Sequence, residues 1–128
     1  MDGISSQRII GLGHDLQHIQ ELEVKSYLRE PDVFFTIGEH SYARQKSGRT
    51  STEAGIYCAK ESFYKSLTER VDFYWTDLEV KHNKLNAPYF EYHGKLKQYM
   101  QSKKLSTRLS ISHSGEYASA YVCLLQEN

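Results

Sequence analysis

Three groups of polar residues have the types and spacing to act together on a phosphate-containing substrate. One is an aspartate after an apolar run, one is a Lys-Glu…Lys cluster, and one is a Ser-His pair before a turn. The residues are Asp15, Lys60, Glu61, Lys65, Ser112 and His113. Two carboxylates, with water and phosphate oxygens, are a common ligand set for Mg²⁺. Lysines beside such a metal would neutralise phosphoryl charge, and a hydroxyl with an imidazole could donate to a further phosphate.

Each group taken alone also has an ordinary structural interpretation. Asp15 follows a predicted strand and would serve as the N-cap of a helix. Glu61 and Lys65 are one helical turn apart, so they would form a surface ion pair of only about 0.3–0.5 kcal/mol. Ser110 and Ser112 would form the polar face of a strand that ends at a surface histidine, His113. Only the combination of the three groups favours a site, and it does not by itself identify the substrate.

The Lys-Glu…Lys cluster lies on the longest predicted helix, Thr50 to Leu67. Thr50 and Glu53 have the spacing of a capping box, in which each side chain satisfies a free backbone N–H at the helix start. Apolar residues then recur at helical spacing and predict one buried stripe. They are Ile56, Ala59, Phe63 and Leu67.

The sequence pattern of the N-terminal third of the chain predicts a strand and two further helices. Arg8 to Leu12 is short, apolar and β-branched, which is typical of a buried strand. A helix would start at Asp15 and end before Pro31, because the residue before proline disfavours helical dihedral angles. Thr36 and Glu39 form a second capping box ahead of a short helix.

The second half predicts an antiparallel sheet and one helix. The expected strands are 73–75, 78–80 and 89–92, followed by a helix over 95–104. An alternating run over 105–113 and an apolar run over 118–125 flank the turn signal Ser114-Gly115, which predicts a hairpin. The pattern is α+β: an N-terminal strand and helices packed on an antiparallel sheet, in a single domain of residues 1–128.

Composition argues against several classes of protein. The 128 residues include 16 basic and 16 acidic side chains, whereas a general nucleic-acid binder is usually basic. The chain has no apolar run of about 18 residues, so no membrane span is predicted, and its first residues do not resemble a signal peptide. Cys58 and Cys123 are therefore expected to be reduced thiols in a cytoplasmic protein. Ten tyrosines and five phenylalanines could fill a core or a subunit interface.

Five sequence blocks together resemble the holo-[acyl-carrier-protein] synthase family, the small 4'-phosphopantetheinyl transferases. The family motifs G-[IV]-G-x-D-[LIV], F-[ST]-x-x-E, A-K-E-A-x-x-K-[AS], D-I-E-V…G-x-P and [VL]-S-[IL]-S-H-[ST] are matched in order. The matching blocks are Ile10–Leu16, Phe35–Glu39, Ala59–Ser66, Asp77–Pro88 and Leu109–Ser114. The resemblance covers about residues 8 to 125, and five blocks at suitable spacing are hard to obtain by chance.

The resemblance implies an enzyme with the 4'-phosphopantetheinyl transferase fold. Such enzymes transfer the 4'-phosphopantetheine arm of coenzyme A to a serine of apo acyl carrier protein and release adenosine 3',5'-bisphosphate. By the matched motifs, Asp15 and Glu61 would bind Mg²⁺, Glu61 would help to deprotonate the serine, and Lys65 would assist the departing phosphate. The residues implied to contact coenzyme A are Lys60, Pro88, Ser112 and His113.

The family is typically homotrimeric, with sites at subunit interfaces. By resemblance, the carboxylate–lysine half of each site comes from one subunit and the Ser-His half from its neighbour. That arrangement would give the many tyrosines an interface to fill. The choice among fatty acid, polyketide and peptide carriers stays open, as does the choice between Mg²⁺ and Mn²⁺.

The chain departs from the family pattern at a few positions. Ile56 stands where the family run G-R-[FW]-A-A-K-E has arginine, and Asn86 replaces the glycine of G-x-P. Glu21 lies near the position of an arginine that meets the acidic carrier, and Lys25 and Arg29 could compensate for it.

Two alternatives to an active transferase therefore stay open at this point. One is a non-catalytic or impaired relative that binds a carrier protein or a nucleotide. The other is a different Mg²⁺-dependent phosphate enzyme. The loop with Arg44, Lys46 and Arg49 is compatible with a solvated connector and with an anion-binding patch.

Overall fold

Helix α3, Arg49–Ser66, packs across one face of a three-stranded antiparallel sheet and is the central element of the fold. The computed structural model describes residues 6–128. Its elements are β1 (Gln7–His18), α1 (Ile19–Val24), α2 (Ile37–Arg44), α3, β2 (Leu78–His82), β3 (Pro88–Tyr92), α4 (Gly94–Ser102), β4 (Leu105–Ser114) and β5 (Tyr117–Glu127). Short 3₁₀ turns occur at Ser26–Arg29 and Trp75–Asp77. The sheet order is β1-β5-β4, and β2 and β3 form a separate two-stranded sheet.

Strand β1 approaches α3 closely because two of its residues are glycines. A Cβ at Gly13 would collide with the carbonyl oxygen of Ser62, and one at Gly11 would collide with that of Ser66. Strand β5 faces the same helix with small and branched side chains that are all buried: Ala118, Ala120, Val122 and Leu124. The G-x-G spacing therefore lets a strand backbone lie against a helix backbone.

The prediction that Asp15 begins a helix is wrong. Strand β1 continues to His18, which pairs with Tyr117 at the start of β5, and α1 begins at Ile19. Pairing with the far end of the chain overrides the local Gly-x-Asp signal. Asp15 therefore lies inside an edge strand, and the N-terminal strand belongs to the sheet instead of packing on it.

One predicted capping box is present and the other is not. Thr36 and Glu39 cap α2 reciprocally, which confirms that prediction. The prediction of a capping box at Thr50 and Glu53 is wrong. Helix α3 begins at Arg49, and its N-cap, Gly48, has no side chain that could accept a hydrogen bond. The Glu53 carboxylate is instead buried and accepts hydrogen bonds from the Arg29 guanidinium.

Two further sequence predictions are wrong. Arg8 to Leu12 is a strand but not a buried one, because Ile9 is 67% and Leu12 62% exposed on the edge strand β1. Residues 73–75 are not a strand; a 3₁₀ turn over Trp75–Asp77 leads into β2. The short strand at 89–92, the helix at 95–104 and the hairpin of β4 and β5 are confirmed within a few residues. The α+β class with antiparallel sheets is confirmed, and Cys58 and Cys123 are free thiols. Among residues 6–128 we find no helix long and apolar enough to cross a bilayer.

The face of the sheet that points away from α3 carries large apolar side chains in contact with solvent. Leu12, Leu16 and Tyr121 are each more than half exposed. The Tyr121 ring stacks on the His14 ring at a centroid distance of 4.2 Å. Ser112 lies on this same outer face by strand alternation, opposite Ser119. Large apolar side chains grouped on one exposed face are common at interaction surfaces.

Candidate active site

The predicted residues Asp15 and Lys65 meet where β1 passes over α3. Lys65 Nζ lies 3.0 Å from Asp15 Oδ1 and also donates to the backbone carbonyl of His14 at 3.1 Å. The Asp15 side chain is 15% exposed, and that of Lys65 is 50% exposed. The pair is therefore at the surface but not fully solvated, so that an approaching ligand can reach both groups.

Glu61 lies one turn before Lys65 on α3 and is half-buried. Burial raises the pKa of its carboxyl, and the negative charge of Asp15 raises it further. The Lys65 ammonium, the Tyr57 hydroxyl and the Lys25 ammonium act on that pKa in the opposite direction. Asp15 and Glu61 are thus near enough to repel each other, and Lys65, which contacts Asp15, offsets part of that repulsion.

This donor set fits a hard divalent cation. A cation bound between two carboxylates removes the repulsion between their negative charges. Carboxylate oxygens are also the ligands that Mg²⁺ prefers. Cys58 lies just beneath the pair, but its thiol is buried and donates to the carbonyl of Ala118 at 3.4 Å. Burial, with Asp15 as the next contribution, raises the pKa of this thiol, so Cys58 stays neutral and offers no thiolate to the metal.

The structure does not bring Lys60 into this group. Its side chain is fully buried, and its Nζ lies 2.7 Å from Glu39 Oε1. The same ammonium donates to the carbonyls of Phe34 at 2.7 Å and Trp75 at 3.1 Å. All three of its protons have acceptors inside the protein. Lys60 therefore joins α3 to the start of α2, and it has no free donor for coenzyme A.

His113 and Pro88 line a separate pocket on the other side of α3. His113 Nε2 lies 2.8 Å from the carbonyl oxygen of Ser51, and its ring packs against Gly55, where a Cβ would come within 2.9 Å of Nε2. The pocket has a volume of about 310 Å³ and is bordered by Tyr42, Lys46, Thr52, Gly55, Ile56, His82, Asn86, Pro88, Ile111 and His113. It holds a histidine, a lysine and flat aromatic surface, which suits a heterocycle with an attached phosphate.

Within one chain the two halves of the predicted site stay apart. Asp15, Ala120 and Ile111 are in register on three successive strands, so β5 separates β1 from the strand that carries Ser112 and His113. Gly55, beneath His113, is six residues from Glu61, or about 9 Å along α3. Ser112 points to the outer face of the sheet and His113 to the helix side.

Sequence reasoning missed Tyr42 and His82 in the pocket at His113 and left the role of Lys46 open. The Tyr42 and His82 rings stack at 4.2 Å with an interplanar angle of 9°. Lys46 Nζ lies 4.7 Å from the Tyr42 ring centroid. The basic loop was a signal for Lys46, but nothing local connects Tyr42 with His82, which is on a different element.

The suggestion that Arg29 compensates for Glu21 does not fit the structure. Helix α1 ends at Val24, and Arg29 lies on the following 3₁₀ turn. Its guanidinium is bound to the buried Glu53 carboxylate. Lys25 lies over the Tyr57 ring at 5.5 Å and is the remaining basic side chain beside α1.

The chain is similar to known proteins of one family. Residues 11–122 match the profile of the 4'-phosphopantetheinyl transferase superfamily. The chain is 35% identical over 122 residues to the holo-[acyl-carrier-protein] synthase of Fusobacterium nucleatum, covering 91% of this chain and 99% of that protein. It is 31% identical to the Clostridium beijerinckii protein of the same name, covering 91% of this chain and 97% of that protein.

The fold is that of solved structures of the same name. The holo-[acyl-carrier-protein] synthase of Neisseria meningitidis superposes with a TM-score of 0.80 at 18% identity, covering 91% of this chain and 98% of that one. The ACPS–CoA complex of Chronobacterium ammoniagenes superposes at 0.75 with 26% identity, covering 96% and 98%. The chain therefore belongs to the 4'-phosphopantetheinyl transferase superfamily, and within it to the holo-[acyl-carrier-protein] synthase family of enzymes.

Proposed function

We propose that this protein transfers the 4'-phosphopantetheine arm of coenzyme A to a serine of apo acyl carrier protein and releases adenosine 3',5'-bisphosphate. The observation that carries the proposal is the meeting of Asp15, Glu61 and Lys65 at the crossing of β1 and α3. Family membership and the ACPS–CoA complex of a relative support coenzyme A as the donor. Residues 1–128 would form a single transferase domain.

Asp15 and Glu61 are the residues that would hold Mg²⁺. When bound, the ion would neutralise charge on the pyrophosphate oxygens of coenzyme A. Glu61 would accept the proton of the serine hydroxyl, directly or through a water, as the serine oxygen attacks the β-phosphorus. Burial and Asp15 raise the pKa of Glu61 in the metal-free protein, and a bound cation would act on that pKa in the opposite direction.

Lys65 would act on the leaving group. The bond between the β-phosphorus and the bridging oxygen breaks, and the electron pair stays on the adenosine phosphate. The Lys65 ammonium would stabilise that charge or supply a proton to it. Its flexible four-carbon stem and half-exposed position allow it to move between Asp15 and the phosphate.

The nucleotide end of coenzyme A would occupy the pocket at His113. Pro88 and the stacked Tyr42 and His82 rings offer flat surface to a base. Lys46 offers donors to the 3'-phosphate. His113 Nε2 already faces the Ser51 carbonyl, so His113 would contact the phosphate through Nδ1. Lys46 would thus contribute positive charge to the pocket in which Ile56 stands in place of the family arginine.

The proposed assembly is a homotrimer in the cytoplasm, with acyl carrier protein as its macromolecular partner. The exposed apolar outer face of the sheet supports association, because Leu12, Leu16 and Tyr121 would be covered by neighbouring chains. Ser112 lies on that face, which supports its contribution to a neighbour's site.

The experiment is a transfer assay read by mass. The protein is incubated with coenzyme A, Mg²⁺ and the apo carrier proteins of its own genome, and each carrier is examined for added phosphopantetheine. Modification of a carrier serine is expected. Binding of coenzyme A without modification of any carrier would favour the impaired relative over the active transferase.

A further inference from the structure

Three potential metal ligands converge on one face of the β2–β3 hairpin, far along the sequence from Asp15. They are Glu79, Glu91 and His93, and their ligand atoms all lie within 4.8 Å of one another. His93 Nε2 is 3.0 Å from Glu79 Oε1 and 3.7 Å from Glu91 Oε1. Metal–ligand bonds of about 2.0–2.2 Å put neighbouring ligands roughly 3–3.5 Å apart. The contact between His93 and Glu79 has this spacing, and Glu91 lies slightly outside it.

The strand register explains how the hairpin cluster forms and why it is unusual. Glu79 on β2 and Glu91 on β3 are direct cross-strand partners, and like charges in that position destabilise a sheet. Glu91 and His93 are two residues apart in extended backbone, so they share the same face. Lys81 lies 3.5 Å from Glu91 Oε2 and offsets one of the two negative charges.

Contacts from outside the hairpin orient Glu79. Its side chain is only 12% exposed, because the start of α2 covers it. Thr36 Oγ1 donates to Glu79 Oε2 at 2.9 Å, and Gly38 lies so close to that oxygen that a Cβ would collide with it. With Oε2 held in this way, Oε1 faces His93. Metal-binding carboxylates are commonly fixed by such an outer hydrogen bond.

Access to the hairpin cluster is open from two sides. Glu79 and His93 line a cavity beside α2, and Glu91 and His93 line another beside α4. An ion can therefore reach the cluster without unfolding of the protein. It would join α2, the hairpin and the start of α4, since His93 is also the N-cap residue of α4.

We propose that Glu79, Glu91 and His93 bind a divalent transition-metal ion of the Zn²⁺ class, at a site separate from Asp15 and Glu61. One imidazole with two carboxylates suits Zn²⁺, Co²⁺ or Ni²⁺, whereas Mg²⁺ prefers oxygen ligands alone. The competing arrangement is a protonated His93 that bridges the two glutamates without a metal. The proposal does not depend on the transferase function.

The test is titration of chelator-treated protein with CoCl₂ and ZnCl₂, with the D15N/E61Q variant as the background so that the transferase site does not contribute. One equivalent of Co²⁺ should bind, with the visible absorption of a nitrogen–oxygen site, and Zn²⁺ should displace it and raise the melting temperature. His93→Gln and Glu91→Gln should each abolish binding. Lys81→Gln should strengthen it, because Lys81 competes for Glu91.

Glu69→Gln is the matched control, since Glu69 is half-exposed and pairs with Lys103 outside the hairpin cluster. It should bind Co²⁺ as its parent does. Circular dichroism checks that each variant is folded, and the side chains of Glu91 and His93 are both partly exposed, so neither substitution changes a fully buried position. Absence of Co²⁺ binding in the D15N/E61Q background, or binding that is unchanged by both His93→Gln and Glu91→Gln, would overturn the proposal.

Discussion

Lys65 Nζ lies 3.0 Å from Asp15 Oδ1, although the two residues are 50 positions apart in the chain. The contact depends on the close crossing of β1 and α3, which Gly13 makes possible at Ser62. The glycine of the N-terminal motif thus determines where the aspartate lies relative to the helix.

Side chains at Gly13 should separate β1 from α3. Gly13→Ala introduces a Cβ that meets the Ser62 carbonyl oxygen, and we expect a loss of about 1–3 kcal/mol in unfolding free energy. Gly13→Val should cost more, and both variants should lose transfer activity because Asp15 moves away from Lys65. Urea denaturation and initial rates measure the two effects. Wild-type stability and activity in Gly13→Ala would contradict the proposed role of the crossing.

Lys60 should act on stability and not on coenzyme A binding. Lys60→Met leaves the Glu39 carboxylate buried without its ion-pair partner, and breaking a buried pair in this way costs about 3–5 kcal/mol. Glu39→Gln should lower the unfolding free energy through the same pair, while folded protein keeps its KM for coenzyme A. A Lys60→Met variant that is as stable as the parent but binds coenzyme A more weakly would contradict this structural role. It would support the contact with coenzyme A that the resemblance implies.

The pH at which transfer activity falls on the acid side should depend on the Mg²⁺ concentration. Glu61 must be ionised to bind a cation and to accept a proton, and burial with Asp15 raises the pKa of its carboxyl. Activity should therefore fall as the pH drops through that pKa. Protons and Mg²⁺ compete for the same carboxylate, so a higher Mg²⁺ concentration should shift this fall in activity to lower pH. Initial rates measured across pH at two Mg²⁺ concentrations test this. The same acid-side midpoint at both concentrations would argue against Glu61 as a ligand.

The outer face of the sheet should hold a trimer together. Leu12 is 62% exposed in the single chain. Leu12→Glu puts a charge there, so the fold should persist while the trimer dissociates. Ile37→Glu is the matched control, since Ile37 is 88% exposed on α2. Light scattering should give three chains for the parent and the control, and one chain for Leu12→Glu. A monomeric parent at micromolar concentration would contradict the proposed assembly.

Local signals in the sequence predicted local structure well. The capping box at Thr36 and Glu39 forms because all of its partners lie within four residues. The hairpin of β4 and β5 forms because alternation and a turn signal coincide. The position of Glu61 and Lys65 on one side of α3 follows from helical spacing alone.

Errors arose where a distant partner replaced a local one. Asp15 is in a strand because β5 pairs with β1, and no signal near Asp15 contains that information. Glu53 does not cap α3 because Arg29 binds its carboxylate. Lys60 lies in the A-K-E block of the family resemblance, yet its role depends on Glu39 and on carbonyls from two other segments. A motif identified the important lysine, but only the fold distinguishes a buried lysine from a substrate-binding one.

The most direct test of the proposed transferase site compares the parent with Glu61→Gln in the transfer assay. Glu61 is half-buried and outside the apolar core, so the variant should keep its circular dichroism spectrum and melting temperature. Transfer of phosphopantetheine to the carrier serine should fall by at least about 100-fold, as expected for loss of a general base, while Glu69→Gln retains parental activity. A folded Glu61→Gln protein that modifies the carrier at a rate near that of the parent would contradict the assignment of this site.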